Sequence, residues 1–323
     1  MQVSRIKRFK AILLTCTILL GIIIPACSKD LAKEEVIEVE LRVTRNLGKT
    51  VIFDELLTVD ADSSVIDILI DNLDVKTEHG GGFIRSIEGL ESGFIDSAKG
   101  NKSRIDWFYF VNGISSNIGA GDYVLASGDI VWWDYHQWDG AGFTPAVSGC
   151  FPQPFKSGFR GTRGNCVVLY GEGLEHEAQK LKGYMQELGV EQIAIDKLNE
   201  EMLREKDGMN IVLEVNDKIA ASAFWQDIME HREKTGWLAK IYSDGIIGFD
   251  ISGEYSKSFD EKVGAVLVSG QGMGDPYPLW LISANDQGTL GQLIDGIIDN
   301  PENLKNNAGV IYHFGEFIPL PLR

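Results

Sequence analysis

The stretch "DWFYFVNG", Asp106–Gly113, decides how the first part of this chain folds. Four aromatic residues stand in a row, and the run ends at an Asn-Gly pair, which is typical of a tight turn between strands. Strand alternation puts Trp107 and Tyr109 on one face. Phe108 and Phe110 then lie on the other face, which is the better candidate for the core.

A second aromatic stretch, "WWDYHQW", follows at Trp132–Trp138. Alternation groups Trp132 with His136, and it groups Trp133 with Tyr135 on the opposite face. Aromatic residues on both faces of two strands exceed what a core on one side can use. An open aromatic face suits a flat, partly apolar ligand, and it equally suits an interface with a protein or domain.

The flanking residues place these strands in a small mixed domain. The alternating runs Val36–Val43 and Lys49–Val59 predict two strands. Ser64 and Asp67 form a capping-box pattern that predicts the start of a helix. Further strand patterns follow, so the order β-β-α-β-β-β predicts an α+β, β-grasp-like domain over residues 35–138.

The rest of the chain has a different composition. Residues 139–165 are rich in Gly, Pro, Phe and Ser without a period, which predicts a linker or an ordered extended arm. Residues 166–323 alternate strand and helix patterns, which predicts an α/β sandwich domain with a mostly parallel sheet. Cys150 lies within this segment and Cys166 directly follows it, so the two flank its Gly/Pro/Phe-rich second half. The sequence leaves open whether they form a disulfide.

The first 26 residues have the pattern of a secretory signal peptide. A basic start is followed by the apolar run Ala11–Ile24 and by Cys27 after a small residue. We expect Cys27 to carry lipid and residues 27–34 to form a polar tether. The protein would then be an exported lipoprotein on the outer face of the cytoplasmic membrane or the cell surface. The alternative is an ordinary signal peptide with an incidental cysteine.

Charge and motifs narrow the classes of function. The net charge is −17, and loss of the four basic residues of the signal brings it near −21, which argues against a nucleic-acid ligand. The five histidines lack metal-ligand spacing, and no nucleophile–base pair stands out. The Gly-rich stretches "SGQGMGDPYP" and "YGEGLEHE" fit turns better than phosphate loops. We therefore expect no enzyme, no bound metal and no resident cofactor.

Four segments together resemble a known family. They are "VIDILI", "GGGFIRSIEGL", "DWFYFVNG" and "IGAGDYVLASGDIVWWDYHQW", and they are similar to the transcobalamin-like C-terminal domain, over roughly Glu35–Trp138. The resemblance implies a β-rich domain that closes over cobalamin, with Gly82, Phe83, Trp107 and Tyr109 facing the ligand. In cobalamin-binding members the other half of the site is a helical barrel, which this chain lacks.

The leading hypothesis is a lipoprotein that binds cobalamin or another corrinoid and hands it to a membrane importer. The ligand would lie between the aromatic face of the first domain and the second domain. The predicted ligand-contacting residues are Gly82, Phe83, Trp107, Tyr109, Trp132 and His136. His136 is also a candidate ligand of cobalt. The alternative is a surface adhesion or scaffold protein whose aromatic face contacts a partner protein.

Overall fold

The computed structural model describes residues 35–78, 83–96, 102–138, 143–205 and 207–322. Residues Glu35–Arg323 form one compact unit. The predicted signal peptide, the tether, Cys27 and Gly82 lie outside the described residues. We call residues 35–138 the N-terminal part and residues 143–322 the C-terminal part.

The N-terminal part contains one main sheet, a short helix and a small sheet. Its elements are β1 (Val36–Arg45), β2 (Thr50–Asp60), α1 (Val65–Asn72), β3 (Val75–Glu78), β4 (Phe83–Ile87), β5 (Leu90–Glu91), β6 (Gly93–Asp96), β7 (Lys102–Val111), β8 (Ile114–Ser115) and β9 (Ile130–Gln137). The main sheet has the order β2-β1-β9-β7-β6, with β8 paired to β7, and β3-β4-β5 form the small sheet. β1 and β9 are parallel, and the other pairs are antiparallel.

The predicted capping box is confirmed at the start of α1. The Ser64 side chain accepts a hydrogen bond from the Asp67 backbone, and the Asp67 carboxylate accepts one from the Ser64 backbone. These bonds satisfy two backbone N–H groups that have no partner within the helix. Val65, Ile68 and Leu69 on the inner face of α1 are buried against the main sheet, as the helical spacing predicts.

The C-terminal part is built mainly on a seven-stranded sheet. The strands of the whole C-terminal part are β10 (Asn165–Tyr170), β11 (Ile193–Lys197), β12 (Gly208–Val215), β13 (Ala239–Ile241), β14 (Ile246–Phe249), β15 (Tyr255–Phe259), β16 (Val263–Ser269), β17 (Leu279–Ala284), β18 (Gly309–His313) and β19 (Glu316–Leu320). Its helices are α2 (Glu175–Glu187), α3 (Glu200–Glu205), α4 (Asn216–Ala221), α5 (Ala223–Glu230), α6 (Arg232–Thr235) and α7 (Gln287–Asp299). The large sheet has the order β11-β10-β12-β17-β16-β18-β19.

The prediction of a mostly parallel sheet is correct for only half of this sheet. Pairs among β11, β10, β12 and β17 are parallel, whereas β16 pairs antiparallel with β17 and β18, and β18 with β19. The physical reason is connection length. Only residues 270–278 join β16 to β17, and they contain no helix, whereas a parallel crossover needs a dozen or more residues. A further antiparallel sheet, β13-β14-β15, was not predicted.

The two parts share one hydrophobic core. Phe110 and Trp132 from the main N-terminal sheet are 1% and 0% exposed, and they belong to the same buried cluster as Val147, Trp237 and Ala308. Trp107 and Trp133, on the opposite face of the same strands, belong to the cluster under α1. The β7–β9 pair is therefore buried on both faces, which accounts for its aromatic residues on both sides.

Polar contacts reinforce this shared core. Arg42, 4% exposed, donates from Nη1 to the Gly149 carbonyl at 2.6 Å and pairs with Glu40. The Lys305 ammonium lies 3.0 Å from the Asp54 carboxylate. The bond from Arg42 to Gly149 and the pair of Lys305 with Asp54 each join the N-terminal sheet to the C-terminal part. The part of the predicted linker that the structure describes, residues 143–164, is packed into the molecule, with Val147, for example, fully buried.

Cys150 and Cys166 are both free thiols, so the bridge that the sequence leaves open is not formed. Cys150 lies in the shared core, and Cys166 lies in the separate cluster on the other face of the large sheet. Burial raises the pKa of Cys150 to about 11 and that of Cys166 to about 12. A thiolate is the reactive form, so both residues are inert while the protein is folded.

We predict that iodoacetamide at pH 8 labels neither Cys150 nor Cys166 in the native protein, because both thiols are buried and protonated. In guanidinium chloride without a reductant both should be labelled, as read by peptide mass spectrometry. Pretreatment with a reductant is the control and should add no label at these two positions. Labelling that appears only after reduction would show a disulfide and contradict the structure.

We also predict that Trp132→Ala lowers the free energy of unfolding by about 3–5 kcal/mol, because it leaves a cavity in the shared core. Phe314→Ala is the matched control, since Phe314 is 57% exposed and its loss should change stability by less than about 0.5 kcal/mol. Denaturant unfolding measures both. Equal effects of the two substitutions would contradict a core that joins the two parts.

Candidate functional site

The aromatic face of β7 that points toward α1 borders a cavity of about 470 Å³, which we call the aromatic cavity. Its lining residues are Ile66, Phe83, Ile84, Trp107, Phe108, Tyr109, Ser116, Asn117, Ile118, Gly119, Ala120, Trp133 and Met273. The volume is within the range of small-molecule sites, roughly 300–1,000 Å³. None of the described residues that line it carries a charge.

The aromatic wall comes from β7, β9 and β4. Antiparallel pairing sets Tyr109 directly opposite Trp133, and their ring centroids are 4.9 Å apart. Trp107 and Tyr109 are 8% and 9% exposed, so only a small part of each ring is open, whereas Phe83 is 47% exposed. The wall is therefore a fixed surface with one accessible ring at its rim.

Hydrogen bonds hold these rings in place. The Trp107 indole donates to the Leu90 carbonyl at 2.9 Å. The Tyr109 hydroxyl donates to the Ile118 carbonyl and accepts a bond from Ser116 Oγ at 2.7 Å. Burial raises the pKa of Tyr109, so its phenol is neutral at physiological pH. Rings held in this way lose little conformational entropy when a ligand binds.

The opposite rim comes from the C-terminal part. The loop between β16 and β17 contributes Met273, which is 43% exposed. The Gly274 backbone N–H donates to the Ser115 carbonyl at 2.7 Å. A side chain at Gly274 would lie 2.3 Å from Asn117, so glycine permits this close approach. This loop is the "SGQGMGDPYP" stretch, and it is a turn rather than a phosphate loop.

The structure brings together only some of the predicted contact residues. Phe83, Trp107 and Tyr109 line the aromatic cavity. Trp132 and His136 do not, because strand alternation puts both on the opposite face of the sheet, where they are 0% and 1% exposed. The predicted contact residues therefore do not all line one cavity, contrary to the expectation of a single aromatic face.

Trp132 and His136 instead belong to a buried polar network. Trp132 Nε1 donates to Thr44 Oγ1 at 2.6 Å, and Thr44 donates to the Asp134 carboxylate. His136 Nδ1 lies 2.8 Å from Asp134, and its ring stacks on Phe108 with centroids 4.7 Å apart. Since a carboxylate only accepts, Nδ1 carries the proton of this pair. The network holds both side chains inside the described part of the protein, and neither of them lines the aromatic cavity.

Sequence reasoning missed Trp133, Met273 and the segment from Ser116 to Ala120. For Trp133 part of the signal was present, because strand alternation places it on the face opposite to Trp132. The register that sets Trp133 opposite Tyr109 is visible only in the structure. Met273 and the Ser116 segment reach the cavity only through tertiary contacts. No local pattern in the sequence indicates those contacts.

No group of three or more His, Cys, Asp or Glu side chains in the described ranges is arranged to hold a metal ion. No helix within those same ranges has the length and apolar character needed to cross a membrane.

Comparisons with known proteins match only part of the chain. The family described as "Domain of unknown function (DUF4430)" matches residues 62–137. Haptocorrin in complex with Cbi is 18% identical over 32% of this chain and 26% of its own, with a TM-score of 0.26. A Ruminococcus gnavus protein, provisionally described as metal-binding, is 16% identical over 31% of this chain and 97% of its own, with a TM-score of 0.23.

Both TM-scores are too low to carry an argument about fold or function. No curated protein matches the chain. The chain is thus similar to the DUF4430 family over the segment that contains α1, the aromatic strands β7 and β9, and most of the wall of the aromatic cavity.

Proposed function

We propose that this protein binds a small molecule in the aromatic cavity, with cobalamin or another corrinoid as the first candidate. One observation carries the proposal. In a chain of net charge −17, the described lining of this cavity is uncharged, and five of its thirteen residues are aromatic. Such a lining favours a flat ligand, or a flat part of one, that carries little charge.

The polar groups at the cavity could orient such a ligand. Asn117 is exposed at the rim and offers both a donor and an acceptor. Ser116 and Tyr109 are already bonded to each other and to Ile118, so they contribute shape more than free hydrogen bonds. A ligand would contact Phe83 over its open ring and Met273 on the opposite side.

The corrinoid is the first candidate because residues 35–138 resemble the transcobalamin-like C-terminal domain. A corrinoid is larger than the aromatic cavity, so the cavity would hold one part of it. Anchored through lipid on Cys27 outside the cytoplasmic membrane, the protein would pass its ligand to a membrane importer. We propose a carrier and not an enzyme, with the corrinoid as cargo and not as a resident cofactor.

A second function is supported by a separate observation. Phe94 on β6 is 64% exposed, and it lines a small surface cavity together with Phe83, which is 47% exposed. Exposed apolar side chains grouped at one sheet edge suit a protein interface. The alternative is therefore an adhesion or scaffold protein that uses this edge.

The proposal is tested by calorimetric titration of the purified mature protein with cyanocobalamin. We predict saturable binding, and we predict that Phe83→Ala weakens it about tenfold, because an apolar ring contact is lost. Phe314→Ala removes a similarly exposed ring elsewhere and should leave the affinity unchanged.

Absence of saturable binding at high micromolar cyanocobalamin would overturn the corrinoid proposal. If Phe83→Ala and Phe314→Ala weakened binding equally, the result would show that the ligand does not bind in the aromatic cavity. Capture of one stoichiometric protein partner from a membrane fraction, lost in Phe94→Ser and without a co-purifying ligand, would favour the scaffold function instead.

A further inference from the structure

A second cavity, of about 490 Å³, lies where the two parts of the protein meet. We call it the lysine cleft. Its lining residues are Asn46, Leu47, Gly48, Lys49, Ser256, Lys257, Phe259, Asn307, Ile318, Pro319, Leu320, Pro321 and Leu322. No residue is shared with the aromatic cavity, so the two sites can be tested separately.

The N-terminal rim of the lysine cleft is a fixed turn between β1 and β2. Asn46 and Leu47 have φ values of 55° and 53°, and Gly48 has 90°. The buried Asp134 carboxylate accepts from the Leu47 N–H at 2.8 Å and from the Gly48 N–H at 3.1 Å. A Cβ at Gly48 would lie 1.5 Å from the Asn306 carbonyl oxygen. These contacts fix the position from which Lys49 extends.

The floor of the cleft is apolar. Phe259 and Leu320 are 2% and 1% exposed and belong to the shared core. Ile318 and Leu322, both partly buried, pack against the same core. A hydrocarbon group in the cleft would therefore rest on side chains that do not move to receive it.

The charge of the cleft is opposite to that of the chain. Among the described residues that line it, Lys49 and Lys257 are the charged ones, and none carries a carboxylate. Both lysines are exposed, and neither forms an ion pair with another residue of the described ranges. The Lys257 ammonium lies 4.8 Å from the centroid of Phe259, which keeps it over the apolar floor. Two lysines on one cavity that have no ion-pair partner within the described residues are unexpected in a chain of net charge −17.

We propose that the lysine cleft binds a small amphipathic organic anion. The hydrocarbon part would lie on the Phe259 and Leu320 floor, and the carboxylate would contact Lys49 and Lys257. Burial of the apolar part supplies affinity, and the two ammonium groups select an anion over a neutral or cationic molecule of the same shape.

The test uses hexanoate as the probe, with hexanamide as its neutral counterpart of nearly equal shape. Ligand-observed NMR on the mature protein should show saturable binding of hexanoate and at least about tenfold weaker binding of hexanamide, because the charge-assisted contacts are lost. The double variant Lys49→Gln/Lys257→Gln should weaken hexanoate binding at least about tenfold for the same reason.

The matched control is Lys76→Gln/Lys234→Gln, which removes two exposed lysines outside the cleft and changes the net charge equally. It should keep the affinity of the unaltered protein, and both double variants should keep its thermal midpoint. Three results would each overturn the proposal: no saturable hexanoate binding, equal affinity for hexanamide, or equal weakening by the two double variants. None of them bears on the aromatic cavity.

Discussion

One fully buried carboxylate, Asp134, fixes the geometry on which both cavities depend. It accepts hydrogen bonds from Thr44, from the backbone of Leu47 and Gly48, and from His136. A buried charge without such partners would cost several kcal/mol, so the surrounding groups are held where they satisfy it. The bonds tie β9 to the end of β1 and to the turn that follows. That turn forms one rim of the lysine cleft, and β9 carries Trp133 to the aromatic cavity.

The two faces of the β7–β9 pair have separate roles. On one face Phe110 and Trp132 join the main N-terminal sheet to the C-terminal part in a single core. On the other face Tyr109 and Trp133 form the wall of the aromatic cavity. The packing in the shared core also brings the β16–β17 loop, with Met273, to the far rim of the aromatic cavity. The opposite wall that a ligand needs is therefore supplied in part by the C-terminal part of the chain.

Local patterns in the sequence predicted the features that depend on local physics. The capping box at Ser64, the strands around the aromatic stretches and the division of their faces follow from spacing alone. The sequence could not show which aromatic face is covered by the C-terminal part, since that depends on tertiary packing. Trp132 and His136 were therefore predicted to contact a ligand, although Trp132 lies in the shared core and His136 is buried on the same face of the sheet. The prediction of a mostly parallel sheet failed for the half of the sheet that contains β16 and β18. Alternation of strands and helices does not define strand direction, whereas the short β16–β17 connection does.

The most direct test of the division between the two faces is fluorine NMR of protein labelled with 5-fluorotryptophan. The chain has seven tryptophans, which single Trp→Phe substitutions can assign. On saturation with cyanocobalamin, the resonances of Trp107 and Trp133 should shift, while those of Trp132 and Trp237 should stay in place. A shift at Trp132 of similar size, or no change at Trp107 and Trp133 when the ligand is bound, would contradict the account.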